Sequence, residues 1–346
     1  MKLKLVMGAA ILTTTAVGST ALTLADWAKR LDPQGNVPKI VEMLSQKNEI
    51  LEDMLFIEGN LPTGNRTSIR TGLPSAAWRK LNYGVPQSKS STVTVDDTCG
   101  MLSARGQIDV KLAALNGNSA AFRLSENSAF IEAMNQEMAA AVMYGDTDVD
   151  PEKFLGLTPR FSDIGSGSPA NSMNIIDGGG TGSDNTSIWF VSWGEETAFG
   201  MFPKGSMAGL QHKDLGEGDA FDAVGNRYRA LMDLWEWDMG MCVKDWRYVS
   251  RICNIDVSNI RTDVTAMKNL LTFMIDAEER IQDLNSGNVA IYCNRTVRAA
   301  MRKAIIEKIA PATLTEEKVA GKRVTMWNGI PVRIVDKLLL TEAQVV

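Results

Sequence analysis

"EGNLPTGNRTSIRTGLPSAAWRKLNYGVPQSKSSTVTV", Glu58 to Val95, carries no Asp or Glu after its first residue, an acid-free run of 37 residues that ends at Asp96. Five basic side chains lie inside it: Arg66, Arg70, Arg79, Lys80 and Lys89. Pro62, Pro74 and Pro86 rule out one continuous helix, because proline lacks the amide donor and clashes with the preceding turn. The β-branched alternation of "SSTVTVDD", Ser90 to Asp97, predicts a strand, and "QIDVKLAAL", Gln107 to Leu115, is expected to prolong a two-stranded ribbon. The stretch therefore reads as a very long hairpin with a proline-punctuated tip, and loops of that length are usually functional or disordered.

The rest of the chain is acidic by contrast. Residues 1–95 hold 11 basic and 7 acidic side chains, a net of +4, so the remainder carries −9 of a total of −5 over 346 residues. That asymmetry suits contact between the basic part of one subunit and the acidic body of another, or contact within one chain. A net negative chain gives no concentrated basic face for specific nucleic-acid binding.

Helix signals flank the hairpin. "LADWAKRL", Leu24 to Leu31, predicts a short amphipathic helix after Thr23, and Ile40, Met43, Leu44, Ile50, Leu51 and Leu55 form a broken helical stripe before Gly59. The strongest signal is "SENSAFIEAMNQEMAAAVMYGD", Ser125 to Asp146. Phe130, Met134, Met138 and Val142 recur every four residues as the core stripe of a long helix, with Ser125 as cap and Gly145 as stop. "DVTAMKNLLTFMIDAEERIQDLNSG", from Asp263, predicts another helix, facing inward through Met267, Leu270, Met274, Ala277, Ile281 and Leu284 and closing near Gly287. "NVAIYC", Asn288 to Cys293, is a buried strand, followed by a helix capped by Asn294 and buried through Val297, Met301 and Ile305. "RVTMWNGIPVRIVDKLLL", from Arg323, is a strand, an Asn-Gly turn and a strand. The aromatic run that includes Tyr228, Trp235, Trp237, Trp246 and Tyr248 is expected to build sheet core from short β-like segments. The fold class is α+β, with helices on sheets.

Catalytic equipment is sparse. His212, the single histidine, lies in the polar "GLQHKDLGEGD" and is expected on an exposed loop. Cys99, Cys242, Cys253 and Cys293 show no C-x-x-C spacing and read as buried free thiols. Glu195, Glu196, Glu217 and Asp219 read as solvated loop charge, and Asp146, Asp148 and Asp150 lack the glycine and distal glutamate of a calcium loop. "GGGTG" at Gly178 to Gly182 is not followed by the Lys-Ser or Lys-Thr of a phosphate loop. No enzyme, cofactor or metal is expected. The start, "MKLKLVMGAAILTTTAVGSTA", imitates a secretory signal, with an extended arm as the competing reading and Met7 as another candidate start.

Seven stretches are long and unusual enough to carry a resemblance: "TLADWAKRLDPQGN", the run from Glu49 to Thr92, "DTCGMLSARGQID", "AAFRLSENSAFIEAMNQEMA", "KFLGLTPRF", "VKDWRYVSRICNID" and "GIPVRIVDKLL". In them the chain resembles the major capsid proteins of tailed phages with the Hong Kong 97-like fold, and among these the epsilon15-like short-tailed group. The resemblance implies an N-terminal arm (1–40), a peripheral domain (41–57 and 96–160) with a spine helix at about 120–145, an extended loop (58–95), an axial domain (161–330) and a C-terminal strand returning to the peripheral domain (331–346). It implies a virion shell protein, assembled in the host cytoplasm, whose partner is itself in pentamers and hexamers. Scaffolding, portal and cement or decoration proteins, and nonspecific contact with packaged DNA, follow from the same likeness; no membrane does. At the extended loop, Arg66, Arg70, Arg79 and Lys80 are expected to meet acidic patches of a neighbour, with Trp78, Leu81 and Tyr83 as buried anchors. An exported periplasmic binding protein with a cleaved signal is the alternative from another class, and an enzyme of unfamiliar type a third.

Overall fold

A computed structural model describes residues 46–114, 119–164, 170–222, 225–307, 313–319 and 322–346. The expectations for the signal-like start, the arm and the helix at Leu24 to Leu31 lie outside the described residues. Two compact units are present, one containing Ser103–Ile131 and His212–Trp235, the other Leu44–Leu102, Glu132–Gln211 and Glu236–Val346.

In chain order the strands are β1 (Phe56–Glu58), β2 (Gly64–Gly72), β3 (Ser91–Asp109), β4 (Ile175–Asp177), β5 (Asn185–Trp193), β6 (Ala198–Phe202), β7 (Gln211–Phe221), β8 (Arg227–Val243), β9 (Val249–Asp256), β10 (Asn288–Cys293), β11 (Leu314–Val319), β12 (Lys322–Trp327) and β13 (Ile330–Ile334). The helices are α1 (Ile50–Asp53), α2 (Val110–Ala113), α3 (Ser119–Tyr144), α4 (Leu157–Arg160), α5 (Val257–Thr262), α6 (Val264–Glu279) and α7 (Arg295–Ile306).

The larger unit is organised by β5, all nine of whose residues are buried. Because successive strand residues point to opposite faces, Trp189, Val191 and Trp193 enter a core with Met138, Val142, Met143, Phe154 and Leu157. Ile188 and Phe190 enter a second core with Met267, Leu270, Met274, Val297 and Met301. The antiparallel neighbour β10 divides the same way, with Ala290 and Tyr292 in the first core and Val289, Ile291 and Cys293 in the second. A strand buried on both faces reads as a continuous apolar run, which is why "SIWFVSW" and "NVAIYC" are legible. Each large side chain so buried stabilises by about 1.5–3 kcal/mol.

Local chemistry sets the helix starts and the last turn. The Asn294 Oδ1 accepts from the Thr296 amide (3.0 Å) at the start of α7, and Asp263 caps α6 by accepting from the Thr265 amide (2.8 Å). Between β12 and β13, Asn328 and Gly329 take φ of 47° and 84°, the two left-handed residues of a type I′ hairpin turn.

Several expectations change. The stripe ending at Leu55 is not a helix there: α1 is a single turn, and Met54 is extended (ψ 131°) because the next residues pair with β6, with the Gly200 amide donating to the Leu55 carbonyl (2.8 Å). The long helix begins at Ser119, so Ser125 lies inside it and is not its cap. The ribbon ends at Asp109, whose carboxylate accepts from the Lys111 amide (2.7 Å) and turns the chain into α2. Helix α6 stops at Glu279, short of Gly287. The aromatic region is one 17-residue strand, β8, followed by a 3-10 turn at Trp246–Tyr248. After β13 the chain makes two isolated bridges, Val335 with Asn48 and Glu342 with Asn185, so the expected strand over 331–346 ends at Ile334.

In the smaller unit, β7 replaces the expected loop around His212. Its side chains are mostly exposed, and it is held by pairing with β8 and by cross-strand charge, Arg229 lying 3.2 Å from Asp219 and 3.7 Å from Glu217. His212 is partnered: its Nε2 lies 2.8 Å from the buried Asp233 carboxylate, and its ring stacks on Trp235 at 4.0 Å. Arg123 of α3 joins the same carboxylate at 2.8 Å and Asp214 at 3.1 Å.

Candidate subunit interface

Strands β2 and β3 pair antiparallel from Gly64 opposite Thr98 to Gly72 opposite Ser91, so the acid-free stretch is a hairpin as its pattern predicts. Arg66 and Asp96 are directly opposed, and both carboxylate oxygens accept from the guanidinium, from Nε and Nη2, at 2.6 Å. Those hydrogen bonds hold the Asp96 carboxyl below the usual carboxylate range. Arg66, expected to face a neighbour, is thus engaged within its own hairpin.

The neighbouring position points the other way and is buried. Asp97 accepts from Arg160 Nη2 at 2.6 Å, and the same nitrogen donates to the Met241 carbonyl at 3.2 Å. With both side chains largely out of water, this pair fixes the hairpin root firmly, since separating it strands a buried charge. A Cβ at Gly64 would stand 2.0 Å from the Asp97 carbonyl oxygen, so glycine is required where the strands cross the root. Cys242 lies beneath, near the Asn65 amide (3.6 Å), and burial pushes its thiol up to about 11.

Beyond the root the hairpin projects away from the rest of the described residues. Residues 73–94 are all exposed, Trp78 completely so and Leu81 at 88%. The Tyr83 amide donates to the Lys80 carbonyl (3.2 Å) around Asn82, whose φ is 65°, and Ser88 Oγ donates to the Ser75 carbonyl (2.9 Å), so the tip is a shaped turn. It brings Trp78, Leu81 and Tyr83 together with Arg79 and Lys80; Arg70 stands exposed lower on β2. Large apolar side chains displayed this way mark an interaction surface.

The residues expected in the core of the long helix divide between the units. Met134, Met138 and Val142 are buried in the larger one. Phe130 is half-buried in the smaller one against Gly106, where a Cβ would come within 3.4 Å of its ring. Sequence reasoning missed Asp97, Arg160 and Asp233, which carry no local pattern. Among the described residues no cluster of three or more His, Cys, Asp or Glu could hold a metal, and no helix is long and apolar enough to cross a membrane. Glu195 and Glu196 are exposed, and Glu196 lies 3.4 Å from Lys244.

The family model described as major capsid protein GP7 matches residues 32–346. The chain belongs to this family of major capsid proteins. Among solved structures, this capsid protein is similar to one of bacteriophage epsilon15, with 33% identity over 96% of this chain and 99% of that one and a TM-score of 0.75. A bacteriophage JBD30 capsid structure (6% identity, 86% and 92% of the two chains, TM-score 0.48) and the capsid of a native GTA particle (11%, 65% and 95%, 0.45) also match. Among curated proteins none matches. The α+β architecture of this capsid protein is the Hong Kong 97-like fold.

Proposed function

We propose that the capsid protein assembles, as pentamers and hexamers of itself, into the icosahedral shell around the double-stranded DNA genome of a tailed phage, with the β2–β3 hairpin laid across a neighbouring subunit. The carrying observation is the hairpin itself: a fixed root and a fully exposed apolar, basic tip. A shell repeats several interfaces by symmetry, and an arm that reaches beyond its own core supplies one of them. On this reading α3 is the spine of a peripheral domain, much of residues 161–330 forms an axial domain, residues 1–40 are an arm, and the segment after β13 returns to the peripheral domain. Assembly takes place in the host cytoplasm with scaffolding, portal and cement proteins as further partners. Packaged DNA is met without base reading, in keeping with a chain of net charge −5. The role is structural and non-enzymatic.

Replacing residues 74–89 by a short Gly-Ser link tests this. The expected product has the melting temperature of the unaltered chain and forms no closed particles by electron microscopy. Normal particles from that variant would contradict the proposal.

A further inference from the structure

A second feature of the larger unit stands open among the described residues. Beside the carboxyl end of α3, a groove of about 110 Å³ is lined by Met101, Leu102, Met138, Ala141 and Phe154, with Glu137 and Glu152 at its rim. Glycines build it. A Cβ at Gly100 would stand 3.0 Å from the Glu152 carbonyl oxygen, and Cβ atoms at Gly145 or Gly156 would stand 2.6 Å from the Ala141 carbonyl oxygen, so β3 and the segment after α3 close tightly on the helix. Phe154 and Met138 form the buried floor, while Met101 is 79% exposed.

We propose that this groove receives Trp78 from the hairpin of a second copy of the chain; the proposal rests on the reading of the hairpin as an inter-subunit arm. The groove has room for one side chain, not for a helix. Two thioethers and a phenyl ring favour an aromatic occupant, since methionine sulfur packs well on ring edges. A buried indole N–H needs an acceptor, which the rim carboxylates Glu137 and Glu152 provide. Charge agrees as well. Lys153 is ion-paired with both Glu137 (3.3 Å) and Asp150 (3.1 Å), so the rim keeps a negative surplus, and Trp78 is followed directly by Arg79 and Lys80 with no acid in the tip. The occupant comes from another copy because β3 runs unbroken from Ser91 to beyond Met101. At about 3.3 Å per residue, that strand holds its own tip roughly 30 Å from the groove.

The test mixes two chains before assembly, one Trp78→Cys and one Met101→Cys, and oxidises the particles. The expected result is a 78–101 disulfide joining two chains in at least tenfold higher yield than from Trp78→Cys mixed with Met207→Cys, another exposed methionine. A parallel measurement uses the unsubstituted chain: peroxide oxidises Met101 at least tenfold more slowly in particles than in free subunits. Particles that give no preferred 78–101 disulfide, or whose Met101 stays as reactive as in free subunits, overturn the groove assignment and leave the capsid reading standing. Failure of the unsubstituted chain to form particles overturns both.

Discussion

Arg251 of β9 and Glu342 of the carboxyl-terminal segment form an ion pair at 3.0 Å, with side chains only 1% and 6% exposed. The same carboxylate accepts from Ser187 Oγ and from the Tyr144 hydroxyl at 2.5 Å, and the guanidinium stacks over Trp189 at 4.9 Å. Around this knot, Asn254 exchanges two hydrogen bonds with the backbone of Val345 (2.8 and 2.9 Å), and Thr186 Oγ donates to the Leu339 carbonyl (2.7 Å). The last residues are therefore fastened to the sheet through a buried charge. Burial and the adjacent Glu342 charge push the Tyr144 hydroxyl well above the ordinary tyrosine range.

Removing one partner of a buried pair strands the other, which costs about 3–5 kcal/mol. Glu342→Ala is expected to lower unfolding free energy by that amount in urea titrations. The double variant Arg251→Met with Glu342→Leu is expected to recover most of the loss, because an apolar pair leaves no charge unpaired.

Substitutions at the hairpin tip are expected to act on assembly and to spare the fold. Trp78→Ala, Leu81→Ser and Tyr83→Ser remove largely exposed side chains, so each is expected to change stability by less than about 0.5 kcal/mol. Particle yield by sedimentation is expected to fall at least several-fold for each.

Arg66 and the other basic residues of the hairpin separate by partner. Arg66→Glu sets a like charge opposite Asp96 and is expected to speed amide exchange in β2. Arg70→Glu with Arg79→Glu is expected to leave that exchange unchanged and to impair assembly. Because Asp96 has a folded pKa below its unfolded one, the Arg66 pairing is fully present above the ordinary carboxylate pKa and is lost as pH falls through the lowered value. Protection of the β2 amides, taken relative to the intrinsic exchange rate at each pH, is expected to fall in that acid window, and an acid-insensitive protection would contradict the pairing.

Burial pushes the Cys253 and Cys293 thiols up to about 12 and Cys242 up to about 11. A thiol whose pKa rises on folding contributes stability that is complete below the ordinary thiol pKa of about 8.5 and is lost as pH climbs toward the folded value. Iodoacetamide at pH 8 is expected to leave all three unmodified in the native chain by intact mass, and to label them in urea.

The legible parts of this protein were those whose signals are local. Asn294 as a cap, Asn328-Gly329 as a turn, and the apolar runs of β5 and β10 each announce themselves within a few residues. Proline spacing and missing carboxylates exposed the hairpin in the same way. Strand β7 stayed hidden because its cross-strand pairs are charged, as Asp219 with Arg229 of β8, and give no apolar alternation. The hairpin root was hidden because Asp97 and Arg160 lie 63 residues apart. The groove beside α3 was hidden for a related reason, being assembled from β3, α3 and the segment around Phe154.

The most direct measurement of the central claim is the mass of the particles that the purified, unsubstituted chain forms under assembly conditions, followed by electron microscopy. Closed icosahedral shells of megadalton mass, with the β2–β3 hairpin of each subunit resting on a neighbour, are the predicted result. A product that remains a folded 37.7 kDa monomer under every such condition, including coexpression with a scaffolding protein, would contradict it.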